Sequence, residues 1–89
     1  MSLLADETRL AIGKGFRLQW EPAQNAHVLL YPEGMVKLNQ SAAEILKRCD
    51  GTRDSAAIVA DLESSFAASG LQADVEDFLR IAHERGWIR

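Results

Sequence analysis

The sequence contains few of the residues that form disulfides, metal sites or membrane spans. It has one cysteine in 89 residues, so no disulfide can form within the chain and nothing indicates an oxidising compartment. His27 and His83 lie at spacings from Cys49 that do not make a zinc site. The apolar runs are too short for a membrane span or a signal peptide. We therefore expect a cytoplasmic protein with no membrane partner, no metal and no cofactor.

Positive charge is also scarce. Lys and Arg total 10 against 13 Asp and Glu, which gives a net charge of −3 and a pI near 5.3. Affinity for nucleic acid depends on Lys and Arg neutralising phosphates, so this balance argues against a nucleic-acid partner. Hydrophobic residues make up 47% of the chain and charged residues 26%, which is ordinary for a small globular domain with a limited core.

The polar residues do not form a catalytic constellation. Cys49 lies on the apolar stripe of a predicted helix, where a buried and unreactive thiol is the favoured interpretation. Asp74, Glu76 and Asp77 lie in the first turn of another predicted helix, where acids are common because they complement the helix dipole. We therefore expect no enzymatic activity.

A predicted strand, turn, strand and helix start lie between His27 and Glu44. Successive strand side chains point to opposite faces, so we expect Val28 and Leu30 to face the core and Leu29 to face away. Residues 32–34, Pro-Glu-Gly, have the composition of a tight turn. This hairpin is the predicted nucleus of a small α+β domain.

The flanking segments complete the sheet and begin the helices. Apolar and polar residues alternate from Phe16 to Trp20, which predicts a first strand and an antiparallel meander with the second strand in the centre. Ser41 and Glu44 form a capping-box pattern at the start of the first helix, and Asn39 is the competing cap.

Three amphipathic helices are predicted after the strands. Each carries apolar residues at helical spacing; Asp54 or Ser55 caps the second helix, and Gly86 ends the third. The order predicts an α+β fold, a three-stranded antiparallel sheet followed by three helices. The second helix should turn Ile58, Val59, Leu62 and Phe66 inward. The expected buried residues are Phe16, Leu18, Trp20, Val28, Leu30, Val36, Leu38, Ile45, Leu46, Ile58, Leu62, Phe78 and Leu79.

Residues 1–14 are predicted to be an N-terminal arm and residues 15–89 a single domain. Leu3, Leu4, Leu10 and Ile12 either pack on the domain or belong to a flexible arm. The third strand is predicted to be an edge strand, and Lys37 within it has two interpretations. It protects the edge from aggregation, or the edge is left unpaired so that a peptide can add to it.

Several stretches of the sequence match a known family of small proteins. They are GFRLQWE at 15–21, HVLLYPEGMVKLN at 27–39 and CDG at 49–51, with Asp74-Val75, Phe78-Leu79 and Gly86-Trp87 further on. In these residues the chain resembles the PqqD family. The resemblance implies a winged-helix-like, non-enzymatic peptide-recognition domain over residues 15–89. It also implies that the domain binds the precursor peptide PqqA in pyrroloquinoline quinone (PQQ) biosynthesis and delivers it to the radical S-adenosylmethionine enzyme PqqE.

The resemblance further implies where the peptide binds. Relatives capture a leader segment as an added strand on the third strand, in a groove shared with the third helix. The implied site residues in this chain are Met35, Val36, Lys37, Leu38, Val75, Phe78, Leu79 and Arg80. The sequence leaves open a monomer or a homodimer.

Two other functional classes remain as alternatives. A winged-helix-like domain can bind DNA, with Lys47, Arg48 and Arg53 as phosphate contacts, although three acids at the start of the third helix would repel a phosphate backbone. The second alternative is a general adaptor or dimerisation domain for another protein.

Overall fold

Three strands and three helices follow one another in a computed structural model that describes residues 8–89. The sheet is antiparallel with the order β1-β2-β3, so the predicted meander and the predicted element order are confirmed. The elements are β1 (Arg17–Glu21), β2 (Ala26–Tyr31), β3 (Gly34–Lys37), α1 (Gln40–Lys47), α2 (Ser55–Ser65) and α3 (Gln72–Glu84).

The strand register decides which face of the sheet meets the helices. Leu29 lies opposite Leu18 on β1 and opposite Val36 on β3, so these three side chains share one face. Leu29 is fully buried in the cluster that contains the helix residues, and Leu18 and Val36 pack against that cluster. The prediction that Val28 and Leu30 face this core is therefore wrong. Both lie on the opposite face, where Val28 is nevertheless fully buried in the central strand.

Two aromatic residues predicted to be inside are half-exposed. Trp20 is 48% exposed at the end of β1, where its ring meets His27 edge-on at 5.1 Å. Trp20 lines a cavity of about 300 Å³ together with residues of the first turn of α1. This turn of α1 leaves the Trp20 ring uncovered. Phe66 is also 48% exposed, because it follows the last residue of α2 and leaves the helix's apolar stripe.

The other residues that were predicted to be buried differ in how deeply they are buried. Among the residues predicted to be buried, five are only half-buried: Phe16, Leu18, Leu30, Val36 and Phe78. Those that are buried as predicted are Val28, Leu38, Ile45, Leu46, Ile58, Leu62 and Leu79.

The caps explain where the helices begin and end. The Asn39 side chain accepts a hydrogen bond of 2.8 Å from the Ala42 N–H, so Asn39 caps α1 and the capping-box assignment to Ser41 is wrong. α1 starts at Gln40, which leaves Ser41 inside the helix. Asp54 caps α2 in the same way through the Ala57 N–H at 2.8 Å.

Gly86 terminates α3 with a positive φ of 78°. The Gly86 N–H donates to the His83 carbonyl at 3.0 Å, and the Trp87 N–H donates to the Ala82 carbonyl at 2.8 Å. This pair of bonds is a Schellman motif, which satisfies carbonyls at a helix end and turns the chain back. Trp87 and the last residues are thereby returned to the domain.

Residues 10–13 are packed into the fold. Leu10 is fully buried; its N–H donates to the Arg53 carbonyl at 2.9 Å and its carbonyl accepts from the Gly51 N–H at 2.9 Å. The Gly13 N–H donates to the Trp87 carbonyl at 2.7 Å. The packed unit therefore begins before residue 15. Ile12 also packs against the core, whereas Leu3 and Leu4 lie outside the described residues.

Replacing Leu46 with Ala should lower the free energy of unfolding by roughly 2–5 kcal/mol, because Leu46 is almost fully buried and the change leaves a cavity. Urea denaturation followed by circular dichroism measures the loss. Ile81→Ala is the matched control, since Ile81 is half-exposed on α3 and its truncation should cost no more than about 0.5 kcal/mol. Equal losses for the two variants would contradict the assigned core.

Candidate functional site

The outer edge of β3 carries backbone groups that point away from the sheet. β3 pairs with β2, and no other strand among residues 8–89 pairs with its second side. The Leu38 N–H donates to the His27 carbonyl at 3.0 Å. Because hydrogen-bonded and non-bonded pairs alternate along an antiparallel ladder, Val36 also points its N–H toward β2. Met35 and Lys37 therefore direct their N–H and C=O groups outward.

A row of partly buried aromatic rings links this edge to α3. Tyr31, which pairs with Gly34 at the start of β3, lies 5.6 Å from Phe16 between ring centroids. A Cβ at residue 86 would lie 4.0 Å from the Phe16 ring, so this ring approaches the chain next to Trp87. The rings of Trp87 and Phe78 are 6.3 Å apart. All four are half-buried, so this aromatic strip (Tyr31, Phe16, Trp87 and Phe78) leaves apolar surface open from the turn before β3 to α3.

A cavity of about 490 Å³ lies beyond the end of β3, among the three helices. Asn39 and Gln40, which lie two and three residues after the end of β3, form one side of it, and Val75 and Phe78 on α3 form another. Its full lining is Asn39, Gln40, Ser41, Ala42, Glu44, Ile45, Leu62, Phe66, Ala68, Leu71, Asp74, Val75 and Phe78. An extended chain on β3 thus has an apolar cavity ahead of it.

The four site residues assigned to the third strand divide into three groups. Met35 is 47% exposed and Lys37 is exposed, and both side chains lie on the face of the sheet away from the helices. Val36 is half-buried on the helical face. Leu38 is buried in the core. The strand therefore presents the side chain of Val36 on the helical face of the sheet. Met35 and Lys37 present their backbone groups along its outer edge.

The four site residues assigned to α3 are also not equivalent. Leu79 is fully buried in the core, and Val75 is buried at the wall of the cavity. Phe78 is half-buried and contributes to both the strip and the cavity. Arg80 is exposed and forms an ion pair with Asp77. Among these four, Phe78 offers the most open apolar surface.

Sequence reasoning missed the contribution of Phe16, Tyr31 and Trp87 to this surface. The sequence predicts Phe16 to be in the core, and the alternation that predicts Leu29 to face away from the core predicts the same of Tyr31. Trp87 is predicted to be a core residue and to fold back after Gly86. The signal that could have identified the surface is this predicted return of the chain, which brings Trp87 to Gly13 and to Phe78.

Three basic residues considered as phosphate contacts are held in ion pairs. Arg48 is bonded to Asp61 and, at 3.0 Å, to Glu44, whereas Lys47 lies 2.9 Å from Glu44. Arg53 lies 3.2 Å from Asp50. The hydrogen bonds from Lys47 and then Arg48 lower the pKa of Glu44. Arg48 thus joins the end of α1 to α2, whereas the other two pairs lie within α1 and within the loop after it. All three cations are charge-compensated and do not form an open basic patch.

Cys49 has the environment of a structural thiol. It is 1% exposed, and its Sγ lies 3.4 Å from the Ile45 carbonyl oxygen, to which it donates. Burial raises the pKa of the thiol to about 12, so the nucleophilic thiolate is scarce at neutral pH. Among residues 8–89 no cluster of metal-ligating side chains is present, and no helix there is long and apolar enough to cross a membrane.

Comparison with known proteins agrees with this architecture. Residues 26–88 match the family described as Coenzyme PQQ synthesis protein D (PqqD). The chain belongs to the PqqD family. It is similar to the "PqqA binding protein" of Stutzerimonas stutzeri, with 62% identity over 84% of this chain and 83% of the relative. The protein of the same name from Pseudomonas aeruginosa is 55% identical over 99% of this chain and 97% of the relative.

A solved structure supports the same assignment. The chain is similar to the PqqD truncation of Methylobacterium extorquens PqqCD, with a TM-score of 0.69 and 27% identity, over 97% of this chain and 94% of that one. The solution structure of that protein is described as a functional, stand-alone recognition element for ribosomally synthesised and post-translationally modified peptides. The fold implied by the resemblance of the sequence to PqqD is therefore confirmed.

Cys49 should be unreactive toward a thiol reagent at pH 8 in the folded protein, since the raised pKa and the burial both suppress attack. Addition of the reagent to native protein should label little thiol, and labelling should become complete in denaturant. Fast labelling of the native protein at the rate of a free cysteine would contradict this environment.

Proposed function

We propose that this protein is a cytoplasmic peptide chaperone of PQQ biosynthesis that binds the PqqA precursor peptide and presents it to the radical S-adenosylmethionine enzyme PqqE. The peptide adds to β3 as a fourth strand. The observation that carries the proposal is the outward-facing backbone of Met35 and Lys37 beside the aromatic strip. The names of the relatives support PqqA as the ligand class.

Backbone pairing supplies only part of the affinity. Met35 and Lys37 together offer up to about four hydrogen bonds, each worth roughly 0.5–1.5 kcal/mol net. The sum of about 2–6 kcal/mol must offset the cost of ordering a flexible peptide. Apolar peptide side chains on Val36, Phe78 and the rest of the strip supply the remainder, because that surface is already partly open.

The protein contributes binding and orientation, and PqqE contributes the chemistry. Holding the peptide extended beside the enzyme raises its local concentration and lowers the entropic cost of reaction. The protonated, buried thiol of Cys49 is consistent with a non-catalytic role. The DNA-binding alternative lacks a supporting observation, since Lys47, Arg48 and Arg53 are each ion-paired.

Replacing Lys37 with Pro should weaken binding of a synthetic PqqA peptide at least tenfold, because Pro removes an outward N–H and disturbs the neighbouring residue. The dissociation constant is measured by isothermal titration calorimetry. Lys37→Gln is the matched control that removes the charge and keeps the N–H. Val36→Pro should instead disturb the sheet itself, since the Val36 N–H points to β2.

Circular dichroism separates loss of binding from loss of fold. The proposal requires that Lys37→Pro retains a native spectrum and loses affinity. If Met35→Pro and Lys37→Pro both stay folded and both bind the peptide normally, the edge of β3 is not the docking site. Should Lys37→Pro unfold, Met35→Pro serves as the second test of the same edge.

The purified protein should not modify PqqA by itself, and Cys49→Ser should leave modification by PqqE largely intact. Mass spectrometry of the peptide after incubation with and without the enzyme measures both. A thermal melt of Cys49→Ser controls for the hydroxyl placed in the core. Modified peptide in the absence of PqqE, or its loss in a folded Cys49→Ser variant, would contradict a purely chaperoning role.

A further inference from the structure

The face of the sheet opposite the helices, called here the open face, carries an uncompensated cation at its β3 edge. Lys37 lies there in a row with Val28 and Gln19, and Met35 lies in the next row with Leu30. The Lys37 side chain is exposed, and none of the ion pairs within residues 8–89 includes it. Its ammonium group is therefore available to a ligand.

An added strand would place defined side chains beside this cation. Residues directly opposite one another on neighbouring strands point to the same face. The peptide residue opposite Val36 therefore lies on the helical face, which also carries Tyr31 of the aromatic strip, and those opposite Met35 and Lys37 lie on the open face. Every peptide docked on β3 must present one side chain to Lys37.

We infer that β3 selects a peptide segment of three successive residues, an acidic residue opposite Lys37 and apolar residues opposite Val36 and Met35. The inference rests on the strand addition proposed above. Met35 suits an apolar neighbour because its flexible thioether side chain is half-exposed beside the half-buried Leu30. Lys37 suits a carboxylate because it is an unpaired cation within cross-strand reach.

The other nearby cations do not supply this selectivity. Arg80, the second cation assigned to the site, is already paired with Asp77. Arg17 shares the open face but lies on β1 and donates to the Gln19 side chain at 3.0 Å. A peptide beyond β3 would lie three strand spacings from β1, about 14 Å, which exceeds the screening length of about 8 Å at physiological salt. Attraction of the acid is therefore local to Lys37.

The direction of the bound peptide determines the order in which its acidic residue and its two apolar residues follow one another. A strand antiparallel to β3 meets Lys37 first, so its segment reads acid, apolar, apolar from N to C terminus. A parallel strand reads apolar, apolar, acid. The peptide acid whose charge affects binding through residue 37 therefore identifies the register of docking. The order of the apolar residues next to that acid identifies the direction of the peptide.

The test is a charge-swap cycle with a synthetic PqqA peptide at low ionic strength. Each Asp or Glu of the peptide is changed in turn to Lys, and the dissociation constant is measured with the native protein and with Lys37→Glu. For one position the change should weaken binding to the native protein by roughly two- to fivefold and strengthen binding to Lys37→Glu by a similar factor. Lys37→Arg should retain the native preference.

Arg17→Glu is the matched control, because it makes the same charge change on the same face at the far edge of the sheet. It should leave the peptide preferences unchanged. Equal responses of Arg17→Glu and Lys37→Glu would show only long-range attraction and would overturn the inference. So would the absence of any position coupled to residue 37. In either case loss of binding by Lys37→Pro would still support the docking edge, so the two proposals fail separately.

Discussion

The pairing of Tyr31 with Gly34 across a two-residue turn fixes the arrangement on which the site depends. Once these residues are opposite, Leu29 must face Val36, and both must point toward the helices because Leu29 is buried there. In the same register Val36 bonds to β2, so Met35 and Lys37 have outward backbones and side chains on the open face. A single pairing thus assigns the hydrogen-bonding edge, the apolar contact and the charged contact of the proposed peptide site.

The domain closes its core without the outer edge of β3. Residues 10–13 hydrogen-bond both to the loop that joins α1 to α2 and to the C-terminal residues after α3. The Schellman motif at Gly86 turns the chain back, and Trp87 meets Phe78 of α3. Stability is therefore supplied by the helical face of the sheet, by residues 10–13 and by the C-terminal residues. The edge strand can keep unpaired backbone groups, which are a costly feature elsewhere in a small domain.

The helices and the element order were predictable because each helix has a 3.6-residue apolar period and a recognisable cap or stop. The inward face of β2 was not predictable from periodicity, because Val28, Leu29 and Leu30 are consecutive apolar residues and either parity fits. The turn contained the missing information, since pairing across Pro32 and Glu33 places Leu29 opposite Val36. The site residues could be placed on their elements, but their exposure depends on neighbours that single-strand patterns do not specify.

Lys37 is compatible with both roles that the sequence left open for it, protection of the strand edge from aggregation and recognition of a peptide. The strand Gly34–Lys37 reads GMVK and contains no acidic residue. A second copy of β3 pairing edge to edge would therefore place no carboxylate beside Lys37, and the desolvation of an unpaired ammonium would oppose that pairing. A peptide with an acid at that position compensates the same charge. One lysine can thus disfavour self-association and favour a particular ligand, because what distinguishes the two partners is the side chain that each places opposite it.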